Sequence, residues 1–153
     1  MEKKKQKKFL TSNPGHLLFT GIIREKEKIN LVVKRFFEKD FFTPYGIRTH
    51  SELEEDFDLK SYHLDSVCPF DNWIIAQGLK RLGYLKEYKI KKKAILRAYQ
   101  KLGFLPEYYG VINGKINIEL SKKPCFFASL EFRDFVQFSP RFLKSKSLLR
   151  KFK

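Results

Sequence analysis

The sequence predicts an all-α fold in which helices are joined by long polar loops. Apolar residues recur at helical spacing through three stretches of the chain, 16–38, 71–83 and 88–102. The segments between them carry polar side chains together with Pro and Gly, which is typical of a helical scaffold with a site at its loop ends. With 153 residues, 42% of them hydrophobic, and 16 Phe, the chain is long enough for one compact domain with a substantial core.

The first helix is predicted from about His16 to Glu38. It follows a cluster of turn and cap residues at positions 11–15, and its apolar residues are separated mostly by charged ones. The segment Phe41 to His50 contains Pro and Gly and is predicted to be a loop.

Two further helices are expected after the loop. Asp71 is a suitable N-cap for a helix that ends near Gly83, with Trp73 in the core. The next helix runs from about Tyr88 to Leu102 with its apolar residues inward and its lysines outward, and Gly103 ends it.

The remaining chain is predicted to be less regular. Residues 104–114 form a loop with an Asn-Gly turn at its end, and alternation of apolar and polar residues over 116–120 indicates a short strand. Residues 126–152 are rich in Phe and basic residues and are expected to be helical in pieces. We expect a basic tail at 1–9 and a single partial domain at 10–153.

The net charge of +15 favours contact with polyanions. However, 24 of the 32 basic residues are Lys and only 8 are Arg, the residue best suited to bidentate contacts with phosphates and bases. A lysine-rich surface also arises from nucleotide composition or thermophily. We therefore do not expect nucleic-acid binding. The absence of a long apolar run after the basic N-terminus predicts a cytoplasmic protein without a membrane span.

No cofactor or metal site is expected. The acidic run at 51–58 can in principle hold a divalent cation, but its spacing does not match an EF-hand, and a solvated loop is the simpler interpretation. Cys68 and Cys125 are far apart and lack metal-ligand spacing, so both are expected to be reduced thiols.

Four segments occur in an order that resembles one enzyme family. They are SNPGHLLFTGI (12–22), FTPYGIRTHS (42–51), SYHLDSVCPFDNWIIAQGL (61–79) and LPEYYG (105–110). Together they resemble the C-terminal part of glycogen-debranching, amylo-α-1,6-glucosidase-like glycoside hydrolases. The resemblance covers residues 10 to about 114, whereas the last forty residues match poorly.

The resemblance implies part of an (α/α)6 toroid of the six-hairpin glycosidases, with about five helices and the sugar in a central funnel. Hydrolysis usually requires one carboxyl group as an acid and one as a base. The family's base corresponds to Glu107, which is otherwise a surface Glu in a turn. The family's acid lies upstream in a motif that this sequence lacks, and Asp65 and Asp71 remain open as substitutes.

The resemblance also suggests substrate contacts. Arg48, Tyr62 and His63 match family residues around the funnel, and Tyr108 follows the base as a sugar-stacking surface. The chemistry of these side chains fits sugar binding. Arg donates paired hydrogen bonds to hydroxyl groups, Tyr offers a ring face, and His donates or accepts a hydrogen bond. The alternatives are an ion pair to the acidic run for Arg48 and a buried structural role for His63. Asp71 is a helix cap, a sugar ligand or both.

Three departures from the family pattern put activity in doubt. Cys68 replaces an aromatic residue, Leu64-Asp65 replaces an Asn-Gly pair, and Phe70 replaces a histidine. We expect a fragment or split subunit of an α-glucosidic hydrolase that is inactive alone. It would act on an α-glucan if active, and a chain carrying the N-terminal half would complement it. A basic polyanion- or RNA-binding protein and a non-functional remnant are the alternatives.

Overall fold

The structure is a computed structural model that describes residues 9–58, 61, 64–117 and 119–121. Within these residues the chain forms four helices and two short hairpins, in the order α1 Pro14–Thr20, α2 Lys26–Phe36, β1 Phe42–Thr43, β2 Gly46–Ile47, α3 Pro69–Arg81, α4 Leu85–Leu102, β3 Gly110–Ile112 and β4 Lys115–Asn117. The helical pieces predicted at 126–152 and Cys125 lie outside the described residues. None of the described helices is long and apolar enough to cross a membrane.

The single helix predicted from His16 to Glu38 is wrong, because two helices occupy this segment. Gly21 adopts the left-handed conformation with φ 75°, donates its N–H to the Leu17 carbonyl and ends α1. Helix α2 begins five residues later at Lys26. Both helices bury their apolar faces in the same core, so the hydrophobic pattern continues across the break.

The prediction that Asp71 caps α3 is also wrong. Cys68 occupies the cap position in an extended conformation, with φ −94° and ψ 117°. That conformation is favoured because Pro69 follows it, and proline is well suited to the first helical position. Asp71 instead lies in the first turn of α3, where a carboxylate is favourable beside the free N–H groups of the helix.

Helix α4 begins three residues before the predicted Tyr88 and ends as predicted at Leu102, with Gly103 in the left-handed conformation. Its buried face includes Ala94, Ile95, Ala98 and Tyr99, also as predicted. The prediction that its lysines point outward is wrong for Lys91, which is fully buried.

Two hairpins replace parts of the predicted loops. Strands β1 and β2 pair antiparallel within 42–47, a segment predicted to be irregular. Strands β3 and β4 pair around Asn113 and Gly114, which have φ values of 49° and 70°. Positive φ at both residues fits the predicted Asn-Gly turn, which joins two strands although only the second was anticipated. That second strand is observed at 115–117, so it begins one residue earlier than predicted.

Helix α3 lies at the centre and packs against both α1 and α4. A Cβ atom added at Gly78 would lie 2.9 Å from the carbonyl carbon of Leu18 and the backbone nitrogen of Phe19. The backbones of α1 and α3 therefore approach closely at this glycine. The main core cluster fills the space around this crossing and consists of Leu18, Ile29, Val33, Phe36, Phe41, Ile47, Ile75 and Leu79.

We expect Gly78→Ala to lower the free energy of unfolding by about 1–3 kcal/mol, because the new methyl group meets backbone that cannot rotate away. The same change at an open helical position would stabilise the protein by up to ~1 kcal/mol. Urea unfolding measures the sign and size of the change in the free energy of unfolding. Gln77→Ala on the same helix is the control and should change stability by less than about 0.5 kcal/mol.

Candidate active site

The four sequence segments that carry the family resemblance meet in the structure through backbone hydrogen bonds. The Ser12 N–H donates to the Thr49 carbonyl at 2.9 Å, and the Thr49 N–H donates to the Ser66 carbonyl at 2.8 Å. Val67 and Tyr109 exchange N–H to carbonyl bonds of 2.8 and 3.1 Å. We call these joined loops the loop corner: residues 10–13, 46–52, 64–72 and 105–111.

The side chain of Asn72 holds the loop corner to the helices. Its amide nitrogen donates to the carbonyls of Ile47 and Cys68, both at 2.9 Å. Its oxygen accepts from the Ile47 N–H at 2.9 Å and from the Lys91 amine at 2.6 Å. Gly46 has φ 145°, and an added Cβ there would lie 2.9 Å from the Asn72 oxygen. Glycine is therefore required at this close approach.

Lys91 completes this contact from α4. Burial lowers its pKa well below the usual lysine value, while the charges of Asp71 and Cys68 act in the opposite direction. A neutral amine can still donate to Asn72 without the cost of burying a charge. Lys91 thus serves as a hydrogen-bond donor inside the core.

We expect Lys91→Met to stabilise the protein by roughly 1–3 kcal/mol at pH 7, because the buried polar group is removed and Asn72 keeps its bond to Ile47. Between the lowered folded pKa and 10.5, the unfolded state binds one more proton than the folded state, so wild-type stability rises with pH. The stability advantage of the variant over wild type should therefore shrink as the pH approaches the pKa of lysine in the unfolded chain. Urea unfolding at several pH values tests this, with exposed Lys93→Met as the control.

Arg48 lies inside the loop corner and is only 6% exposed. One terminal nitrogen pairs with the Asp65 carboxylate. The other donates to the Val111 carbonyl at 3.0 Å and to Glu52 at 3.3 Å. The guanidinium also lies over the Phe57 ring, with 5.6 Å to its centroid. The contact to Glu52 is the ion pair to the acidic run that the sequence left open, and the pair with Asp65 was not anticipated.

Asp65 is fully buried beside Arg48. Burial raises its pKa to about 6, and the Arg48 charge offsets only part of that rise, while Glu52 and Asp58 add to it. Within the described residues its second carboxylate oxygen has no hydrogen-bond partner. A carboxyl group without solvent contact is poorly placed to protonate a substrate, so this geometry favours a structural role.

Asp65 should make stability depend on pH. Its folded pKa lies above the unfolded value, so the folded state holds an extra proton between about pH 4 and 6, and stability falls as the pH rises. We expect wild type to lose up to about 3 kcal/mol relative to Asp65→Asn between pH 4 and pH 7. Urea unfolding measures this difference. A difference that stays constant with pH would contradict the assignment.

Asp71 connects the first and third segments through its side chain. Ser12 donates its hydroxyl at 3.3 Å, and the Nε2 atom of His16 lies 3.2 Å from the other carboxylate oxygen. The Asp71 side chain remains 21% exposed. The sequence predicts only that His16 begins a helix and does not suggest its contact with Asp71.

Glu107 is exposed on the loop between α4 and β3. Buried residues fix this loop on either side of it: Leu105 and Pro106 before it, and Tyr109 after Tyr108. The Tyr109 hydroxyl donates to the Tyr45 carbonyl at 2.7 Å. A solvent-accessible carboxylate on a fixed loop, beside the half-buried Tyr108, is suited to accept a proton from water.

Two of the expected substrate contacts, Tyr62 and His63, lie outside the described residues. The backbone hydrogen bonds of the loop corner join the segments that carry Arg48, Asp71 and the loop of Glu107 and Tyr108. Sequence reasoning missed Asn72 and Lys91. A signal for Lys91 existed, because position 91 falls on the apolar stripe of α4 with 94, 95 and 98, at helical spacings of three, four and seven.

The sequence matches the family described as Mannosylglycerate hydrolase MGH1-like glycoside hydrolase domain over residues 16–127, more than half of the chain. The chain belongs to this family. The match confirms the predicted resemblance to glycoside hydrolases, but not to the amylo-α-1,6-glucosidase type. A comparison with curated protein sequences gave no match.

Among solved structures, the MGH1-like chain is similar to the GH63 mannosylglycerate hydrolase from Thermus thermophilus in complex with glucose. The TM-score is 0.65 at 22% sequence identity, and the match covers 83% of this chain but 31% of that enzyme. The chain thus has the fold of part of an (α/α)6 toroid and spans about a third of the length of its structural neighbour.

Proposed function

We propose that the chain is a fragment or split subunit of a glycoside hydrolase, with an α-glucosidic link as the expected substrate and a small mannoside as the alternative, and that it carries the general base, Glu107. The observation that supports this most is the loop corner. Its hydrogen bonds fix the exposed Glu107 loop to the segment of Val67 and, through Tyr109, to the hairpin of Tyr45. A catalytic carboxylate must be held in a fixed position relative to the substrate, and a fixed loop provides this.

The proposed reaction is inversion, in which one carboxylate activates water and a carboxylic acid protonates the leaving oxygen about 6.5–9.5 Å away. Asp65 is buried under Arg48, and Asp71 accepts bonds from Ser12 and His16. Neither carboxyl group is suited to the acid role. We therefore expect the isolated chain to be inactive and the acid to come from the part of the toroid that this sequence does not contain.

Two substrate classes follow from the motifs and the family. The debranching-type motifs favour an α-glucan with 1,6 links. The MGH1-like assignment favours a small glycoside such as mannosylglycerate, and the structural neighbour was solved with glucose. For either substrate, we propose that Tyr108 stacks on the sugar beside Glu107 and that Asp71, Tyr62 and His63 contribute polar contacts. Arg48 would act by holding the loops. We propose a cytoplasmic location.

Co-expression with the product of the neighbouring reading frame tests the proposal. We expect the chain alone to release no glucose from limit dextrin and no mannose from mannosylglycerate, and the assembled pair to hydrolyse one of them. Glu107→Gln should lower kcat of the pair by at least about 100-fold, because the water loses its base. Size-exclusion chromatography should show assembly unchanged.

The control for this experiment is Glu119→Gln, which removes an exposed carboxylate from the turn after β4. It should leave kcat within about twofold, since surface changes away from a site have small effects. An assembled pair in which both variants retain full activity would rule out Glu107 as the base. A pair that assembles but hydrolyses neither substrate would rule out the split-enzyme proposal.

A further inference from the structure

We propose that His50, Glu54 and Asp56 form a binding site for a divalent transition-metal ion of the zinc class. Each of these residues offers one ligand atom, and the three atoms lie within 4.8 Å of one another. One imidazole and two carboxylates form a donor set that Zn²⁺ accepts, with a fourth position left for water. None of these three residues has a part in the proposed hydrolysis, and the site does not depend on it.

The histidine is held in place before any ion binds. His50 is only 2% exposed and lies in an antiparallel bridge with Thr11. Its ring contacts Phe9, with 6.0 Å between the centroids. The Nε2 atom points at Asp56, 2.8 Å from the nearer carboxylate oxygen. A buried imidazole with this fixed direction loses little conformational freedom on metal binding.

The loop that carries the two carboxylates is also folded back on this histidine. The Glu54 N–H donates to the Ser51 carbonyl at 3.3 Å, and the Leu53 N–H donates to the Ser51 hydroxyl at 3.2 Å. A Glu54 carboxylate oxygen accepts from the Leu10 N–H at 3.3 Å. An ion bound at about 2.0–2.2 Å from each ligand needs the donor atoms about 3.3 Å apart. Rotation of the partly exposed Glu54 and Asp56 side chains would bring the atoms to this spacing.

The charge distribution independently favours a cation here. Five carboxylates lie within residues 52–58 of a chain with net charge +15. Within the described residues, neither Glu54 nor Asp56 forms a salt bridge with Lys or Arg, although Glu52 pairs with Arg48. The charges of Glu52 and Asp58 also disfavour the ionised form of the buried Asp65. A bound cation would relieve this crowding of negative charge.

The test is isothermal titration of Zn²⁺ into the full chain after removal of metal with a chelator. We expect one ion per chain and a rise in Tm, since an ion that binds only the folded state stabilises it. Glu54→Gln and Asp56→Asn should each weaken Zn²⁺ binding by roughly tenfold or more. Both side chains are partly exposed, so both variants should fold, and circular dichroism checks this.

The matched control is Glu55→Gln, which removes the same charge from the same loop but lies outside the ligand set. Its Zn²⁺ affinity should stay within about threefold of wild type, as expected when a nearby solvent-exposed charge that does not bind the ion is removed. Binding by Co²⁺ distinguishes these ligands from the thiol of Cys68, because a thiolate ligand adds a charge-transfer band that this site should lack. No binding, equal weakening by all three variants, or a thiolate band would each overturn the proposal.

Discussion

The loop corner depends on the buried amide of Asn72. Its four hydrogen bonds join the backbone of β2, the cap residue of α3 and the amine of Lys91 on α4. An amide supplies two donors and two acceptor positions, and here each is used. Because a buried polar group left unsatisfied is costly, the two helices and the hairpin are fixed relative to one another. A side chain with fewer hydrogen-bonding positions could not make all these connections.

The remaining contacts of the site extend from this connection. Arg48 follows Ile47 along the chain and links Asp65 to the Val111 carbonyl, which lies on the strand after Glu107. Val67 precedes the cap of α3 and pairs with Tyr109. The loop that carries the exposed Glu107 is therefore fixed by residues that are almost entirely buried. Loops positioned by a rigid scaffold in this way often carry binding or catalytic residues.

Sequence reasoning predicted most helices and the motif segments but not the contacts between them. The end of α4 at Gly103 and the Asn113-Gly114 turn followed from local chemistry, because glycine and Asn-Gly favour positive φ. The break between α1 and α2 at Gly21 does not follow from the sequence pattern. The spacing of apolar residues indicates which face of a helix is buried, but it does not indicate whether the helix is continuous. The start of α3 was misplaced because the effect of Pro69 on the preceding residue outweighed the capping preference of Asp71. The partners of Asn72 and His50, and the Asp65 partner of Arg48, lie far away in sequence or depend on loop closure, so local pattern could not reveal them.

The backbone bridge between Val67 and Tyr109 has a consequence for motion. It joins the loop before α3 to the loop after α4, and Thr49 and Ser12 extend the same chain of hydrogen bonds to the first helix. Because the backbone groups of each loop form hydrogen bonds with those of the next loop, opening one loop leaves buried N–H and carbonyl groups of its neighbours unpaired. The loop corner should therefore open by local unfolding as one cooperative unit, with the fluctuations of the Glu107 loop set by the stability of all four loops and not by its own length.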